Sequence, residues 1–396
     1  MKRMMPYSRQ DIDASDIDAV AKILGSDFLT QGPAVENFQE RLAGYVGALH
    51  AVVFNSGTSA LHAAYHAAGL KSGDEFITSP NTFAATANAG LMLGAMPVFA
   101  DVEPDTGNID PAQVEKLVTP KTKLLVAVHY AGFLADMKSL YEIALRHNIV
   151  VVEDACHALG SSHDSDDPLA AGGRSFTGSC ERSDMAVFSF HPIKSITTGE
   201  GGAVVTNDDG FADALKSFGN HGVTKDEARF IEKPSHGPWY YEMQDLGLNY
   251  RMTDIQAALG ASQLARCDAF IARRREIART YDRAFKENPW FDIPPEKEGT
   301  YSSHHLYPIA LRQPYAGKKR EIFTSMRQSG LGVQVHYIPV YTHPYYRGLG
   351  FQGALCPRAE EFYRRELSIP IYPSMTDEDV KFVIDTVTEV FKSAPV

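Results

Sequence analysis

Short apolar runs that alternate with helical segments constrain this chain more than any other feature. Residues 51–54, 75–78, 97–100, 124–128 and 149–153 are rich in Val, Ile, Leu and Phe and are too apolar to face water on either side. Helical patterns separate them, running on from Ser59 through Ala68 and then over 82–93, 111–117 and 137–146. That order predicts an α/β fold with a large, mostly parallel sheet covered on both faces. Two further strand-like runs follow, 185–190 and 203–206, and then a helix near 211–218.

A chain of 396 residues exceeds what one small core needs, and the pattern changes along it. Before the first run, Ser15 reads as the N-cap of a helix with Ile17, Val20, Ile23 and Leu24 on one face. Pro33 opens a second helix carrying Val35, Phe38, Leu42 and Tyr45 inward and ending at Gly47. The acidic run from Ser162 to Asp167 reads as an exposed loop. Its His163 and Asp164 could bind a metal, but their spacing gives that little weight. Helical periodicity resumes at Thr253, and 268–285 reads as a long helix leaving the first unit. Beyond it, strands are expected at 305–311 and 333–337 and helices at 319–328, 357–367 and 377–391. The division expected is therefore 1–265, a helical arm with a large α/β domain, and 266–396, a linking helix with a small α/β domain.

A formal charge of −11 disfavours nucleic acid and anionic membrane as partners. Cys156, Cys180, Cys267 and Cys356 have no paired spacing, so they read as reduced thiols without a zinc site. No apolar run reaches membrane-spanning length, and Met1-Lys2-Arg3 leads into no signal core, so a cytoplasmic location is expected.

The chemistry centres on residues 188–202. Lys194 follows a buried strand on a turn flanked by Ser, Thr and Gly, where partial desolvation would lower its pKa and free the amine as a nucleophile. Ser56-Gly57-Thr58 lies between the first strand and its helix. It is either an ordinary turn or, with the positive helix end, a phosphate cradle to which Ser189 adds. Asp154 closes an apolar strand as a catalytic carboxylate or as a cap, and His157 follows it. Ligands of open α/β sheets bind beyond the carboxyl ends of the strands, where all of these would gather. Phosphate site, carboxylate and amine together are the parts that pyridoxal 5′-phosphate requires, with Phe83 either stacked on its ring or simply in the core.

With these stretches, and with residues 55–61, 153–160 and 247–258, the chain resembles the sugar-nucleotide aminotransferases of the DegT/DnrJ/EryC1/StrS family from about Tyr7 to its last helix. The resemblance implies the aspartate aminotransferase fold, PLP-dependent fold type I. It implies Lys194 as Schiff-base lysine and proton shuttle, and Asp154 paired with the pyridinium. His157 would lie near the ring's phenolic edge, and Ser56, Gly57, Thr58 and Ser189 would hold the phosphate. It further implies that Asn249 reaches the phosphate of a partner subunit, so that a homodimer shares its active sites. Tyr7, Asp27, Phe28, Leu29 and Thr30, together with Gln334, Val335, His336 and Tyr337, match the family's sugar-nucleotide contacts by position.

Residues 178–198 and 334–337 are most similar to the branch that aminates C4 in pseudaminic acid biosynthesis. The implied substrate is UDP-2-acetamido-2,6-dideoxy-β-L-arabino-hexos-4-ulose. L-Glutamate is the implied donor and pyridoxamine 5′-phosphate the implied halfway form. Another UDP- or dTDP-keto sugar, aminated at C4 or C3, and a cofactor-binding regulator without turnover are the alternatives. The sugar 3-dehydrase branch normally has His where this chain has Lys194.

Overall fold

The structure, a computed structural model, describes residues 4–165, 171–233, 236–353 and 355–394. Two helices, α1 (Ala14–Leu24) and α2 (Pro33–Val46), precede β1 (His50–Phe54) and α3 (Gly57–Ala67). The chain then runs β2 (Glu75–Thr78), α4 (Ala85–Met92), β3 (Met96–Phe99), α5 (Pro111–Leu117), β4 (Thr122–Val128), α6 (Met137–His147) and β5 (Val150–Asp154). A short pair, β6 (Ser162–Asp164) and β7 (Arg174–Phe176), leads to β8 (Met185–Ser189), β9 (Gly202–Thr206) and α7 (Asp209–Phe218). After the two-residue strands β10 (Val223–Thr224) and β11 (Glu242–Met243) come α8 (Asp254–Leu264) and α9 (Cys267–Phe285). The remainder holds β12 (Phe291–Asp292), β13 (Thr300–Tyr301), β14 (Tyr307–Leu311), α10 (Lys319–Gln328), α11 (Pro344–Gly348), α12 (Pro357–Arg365), β15 (Glu366–Ile369) and α13 (Asp377–Ser393).

The central sheet has seven strands in the order β1-β9-β8-β5-β4-β2-β3. Pairing is parallel from β8 through β5, β4 and β2 to β3, and antiparallel only where β9 meets β8 and β1. Six strands therefore point the same way. The carboxyl ends of β1, β5 and β8 open at one edge, where Ser56, Asp154 and Ser189 sit. Helices cover both faces, which is why strands such as Met185–Ser189 are apolar on both sides.

A second core gathers Ile277, Tyr281, Tyr307, Ile309, Leu331, Leu367, Val383 and Phe391 around the three-stranded sheet β12-β14-β15. Met5 belongs to it, because the backbone at Met5 pairs with Leu331. Seams with the first unit also form at β13, which joins β6 and β7 in a small sheet.

Several expected boundaries change. Asp13, not Ser15, caps α1, since its carboxylate takes the Ser15 and Asp16 N–H groups. Ile17 and Leu24 on α1 are exposed rather than buried. Of the residues expected inward on α2, Phe38 and Leu42 are fully buried, while Val35 and Tyr45 are only half-buried. The helix expected from 82 starts at Ala85, because Thr82 and Phe83 are drawn out into the cavity wall. Ser162–Asp164 is a strand and not a loop: Arg174–Phe176 and Thr300–Tyr301, remote in sequence, supply its partners. Asp166 and Asp167 lie outside the described residues. Residues 333–337 make a single bridge from Gln334 to Ser368 in place of a strand. The helix expected to reach 367 gives way at Glu366 to β15, whose Leu367 and Ile369 fill the second core.

Candidate active site

A cavity of about 500 Å³ opens at the sheet edge where β1, β5 and β8 end. Its wall includes Ser56, Gly57, Thr58, Phe83, Asp154, His157, Ser189 and Lys194, and from the second unit's side Tyr7, His336 and Tyr337. The β8 strand delivers Ser189, and the turn that follows, closed by the Lys194 N–H on the His191 carbonyl at 2.9 Å, delivers Lys194. Burial pulls the Lys194 amine below the ordinary lysine range, while nearby Cys156 and Asp154 resist that shift.

Asp154, the last residue of β5, is buried and held from two sides. The Thr86 hydroxyl donates to its Oδ2 at 2.6 Å, and the Cys156 N–H reaches its Oδ1 at 3.3 Å. Thr86 in turn shares a 2.8 Å hydroxyl contact with Thr82. At the neighbouring wall Ser56 caps α3: its Oγ accepts the Ser59 N–H at 3.1 Å. The N–H groups of Gly57 and Thr58, in the first turn of α3, have no intrahelical carbonyl to bond. The helix end is pressed against the sheet, so that a Cβ built on Gly57 would lie 2.9 Å from the Ser189 Cβ. Free helix N–H groups, two hydroxyls and the positive helix end fit a phosphate. An acid 5 % exposed and a desolvated amine in the same cavity fit the pyridine nitrogen and aldehyde of pyridoxal phosphate.

His157 is held from behind, where its Nδ1 accepts the Ala131 N–H at 3.3 Å, and its Nε2 lies 3.0 Å from the Tyr337 hydroxyl. Burial first, then the Lys194 charge, holds the His157 imidazole well below its ordinary range, so it is neutral. Phe83 is 64 % exposed, which excludes the core reading and leaves its ring on the cavity rim.

Not every expected residue comes here. Asp27, Phe28, Leu29 and Thr30 lie outside this cavity's wall. The Leu29 carbonyl accepts the Asp254 N–H, and Thr30 bridges Thr253, so the segment is fixed against the start of α8. Gln334 faces Ser368 across its bridge, and Val335 packs on the second core. Asn249 is exposed and bridges Asn220 away from the wall. Sequence reasoning passed over Thr86, although the i, i+4 spacing of Thr82 and Thr86 was a signal. It also passed over Glu366 and Ser368, which no local pattern reveals because they reach His336 across 30 or more residues.

Comparison with known proteins places the chain among aminotransferases. The model of the DegT/DnrJ/EryC1/StrS aminotransferase family matches residues 10–388. The spore coat polysaccharide biosynthesis protein SpsC of Bacillus subtilis is 40% identical over 393 residues, 98% of each chain. A UDP-4-amino-4,6-dideoxy-N-acetyl-beta-L-altrosamine transaminase of Campylobacter jejuni is 40% identical over 392 residues, again 98% of each. Among solved structures, Helicobacter pylori PseC, an aminotransferase of pseudaminic acid biosynthesis, superposes with a TM-score of 0.89 at 38% identity, covering 99% of this chain and 100% of that one. The putative sugar aminotransferase Spr1654 of Streptococcus pneumoniae, solved in PLP and PMP forms, also reaches 0.89, at 27% and 28% identity over 98% or more of each chain.

Proposed function

This chain belongs to the DegT/DnrJ/EryC1/StrS aminotransferase family, and from that premise we propose that it aminates C4 of a UDP-linked 4-keto-6-deoxy sugar. It is a PLP-dependent enzyme of the fold type I class. The substrate we assign is UDP-2-acetamido-2,6-dideoxy-β-L-arabino-hexos-4-ulose, the donor L-glutamate and the product UDP-4-amino-4,6-dideoxy-N-acetyl-β-L-altrosamine. The reading is carried by the cavity that joins Lys194, Asp154 and the α3 end in a chain 40% identical, end to end, to a transaminase named for that product.

Pyridoxal phosphate, when bound, supplies an electron sink that acidifies the C–H bond beside the transferred nitrogen. Asp154 holds the proton on the pyridine nitrogen, and Thr86 keeps that carboxylate oriented. Ser56, Gly57, Thr58 and Ser189 bind the phosphate. Lys194 Nζ would anchor the aldehyde and, when free, would carry the proton between two carbons on the same face. Its lowered pKa suits a base that must give the proton back. His157, whose Nε2 lies on the Tyr337 hydroxyl, would stand near the ring's phenolic edge, and Phe83 would stack on the ring. Tyr7, His336 and Tyr337 meet the sugar. Asn249 and the 27–30 segment, both absent from this chain's own wall, complete the cavity of a second copy, so the working unit is a homodimer. Residues 1–265 carry the cofactor and 266–396 close over it, with residues 4–8 counted with the latter.

The test incubates the protein with PLP, L-glutamate and the UDP-4-keto sugar, following product by mass. Formation of the 4-amino sugar with 2-oxoglutarate is the expected result; no product from this sugar, but product from a dTDP- or 3-keto sugar, overturns the substrate. The relative named for spore coat polysaccharide is what favours that second reading.

A further inference from the structure

Two neutral histidines on the cavity wall, His157 and His336, are wired with opposite polarity. For His157 the Ala131 N–H occupies Nδ1, so the proton is on Nε2 and the ring is a donor to the Tyr337 hydroxyl. His336 is wired the other way. Its backbone N–H donates to Glu366 Oε2 at 2.7 Å, and the Ser368 hydroxyl donates to Glu366 Oε1 at 2.5 Å. Ser368 Oγ also lies 2.8 Å from His336 Nδ1. A hydroxyl has one proton; spent on the carboxylate, it leaves Ser368 Oγ only able to accept, so Nδ1 of His336 carries the hydrogen. Nε2 is then unprotonated, on a residue that lines the cavity. The Tyr130 hydroxyl fixes the same residue from its other side by donating to the His336 carbonyl at 2.7 Å.

We infer that Glu366 and Ser368 are positioning residues which hold His336 as the Nδ1–H tautomer, making its Nε2 an acceptor for a hydroxyl or amide N–H of the sugar. Naming the sugar as the donor rests on the function proposed above; the tautomer does not. The carboxylate is fully buried and faces Lys319 of α10, Tyr130 after β4, and His336 and Ser368 of the second unit. Burial, partly offset by Ser368 and Lys319, pushes its pKa up to about 7. Protonation would reverse the relay. Oε2 is occupied by the His336 N–H, so the proton enters at Oε1 and is donated to Ser368 Oγ. The serine hydroxyl then turns to Nδ1, whose proton leaves as Nε2 takes one from water. One proton is taken up in all, and the acceptor becomes a donor.

The test is 15N NMR of the full chain labelled at histidine, with the His336 signals identified by their loss in His336→Gln. At pH 8 the wild type is expected to show protonated Nδ1 and bare Nε2, with the pattern reversing below pH 6. In Glu366→Gln the His336 N–H compels the amide oxygen to face it, so the amide nitrogen donates to Ser368 and the Nε2–H tautomer should hold at both pH values. Wild type with Nε2–H at pH 8, or a folded Glu366→Gln that keeps Nδ1–H, overturns the inference. Should Glu366→Gln fail to fold, Ser368→Ala must abolish the pH-dependent reversal, and a reversal that persists overturns it equally. Turnover supplies the second arm: Glu366→Gln should raise KM for the keto sugar about tenfold, the usual worth of one hydrogen bond, with kcat changed far less. An unchanged KM overturns the acceptor role. A wild type inert towards the keto sugar refutes the proposed substrate, while the NMR alone then decides the tautomer.

Discussion

At the scale of single residues the proposed roles separate into groups that would react and groups that would aim them. Lys194→Ala removes the only amine on the cavity wall among the described residues, and turnover should drop by at least ~10³-fold, in the range lost with a general base. Circular dichroism and thermal melting should remain those of the wild type; a variant that keeps full transaminase activity would refute the assignment. Thr86→Val keeps shape but deletes the hydroxyl on Asp154 Oδ2, a bond to a charged group worth about 1.5–3 kcal/mol. Cofactor affinity, followed by its visible absorbance, should weaken about tenfold or more for that loss. Asp154 was legible in sequence because it ends an apolar run, and Lys194 because it sits on the Ser-, Thr- and Gly-flanked turn after one. Thr86 was only half legible, since its stretch drew notice for Phe83 instead.

At the scale of elements, what could be read was whatever repeats within one segment. All seven strands of the main sheet came from apolar runs, and the parallel order of β2, β3, β4 and β5 followed from the helices between them, whereas β9 runs antiparallel to both neighbours. Elements whose reason lies elsewhere in the chain were misread. β6 exists because Thr300–Tyr301 and Arg174–Phe176 flank it, and β15 because the second core needs Leu367 and Ile369, although its residues continue a helical pattern. The α1 face reads as amphipathic but leaves Ile17 and Leu24 exposed on this chain. The tight seat of α3 on β8 gives a further expectation. Gly57→Ala would set a methyl 2.9 Å from the Ser189 Cβ and push the helix end off the sheet. Phosphate-containing cofactor should then bind at least about tenfold more weakly, by equilibrium dialysis, while α3 itself, gaining Ala for Gly, loses no helix propensity. Unchanged binding would remove Gly57 from the phosphate site.

For the whole molecule, buried imidazoles dominate the response to acid. Burial lowers His157 and His305 well below their ordinary range, His304 to about 4 and His336 to about 3. An unfolded histidine titrates near 6.5, so each contributes stability that is complete above that value and lost as the pH falls towards its folded value. The slope is about 1.4 kcal/mol per pH unit per histidine. Burial raises Glu366, Asp184 and Asp282, which work in the opposite sense and lose stability as pH rises, but they are three carboxyls against five imidazoles once His62, also lowered by burial, is counted. Thermal denaturation should therefore show a clearly lower Tm at pH 5 than at pH 7.5; equal values would mean that these rings are not neutral in the fold. The proposed association also belongs to the whole. Ile231, Trp239 and Leu246, each about three-quarters exposed, lie on the segment that also carries Asn249. Trp239→Glu with Leu246→Glu should give monomers by light scattering and weaken the cofactor. A cofactor-replete monomer would refute the shared site.

Met5 fills a place among Ile277, Leu331 and Val383, and the backbone beside it closes on Gly330 and Gly332. During translation those first residues leave the ribosome long before the neighbours they pack against exist. The large sheet can assemble as it emerges, but the smaller core stays open at that slot until synthesis has passed α13. The catalytic wall, which takes Tyr7 from the same segment, is thus among the last surfaces a nascent chain completes.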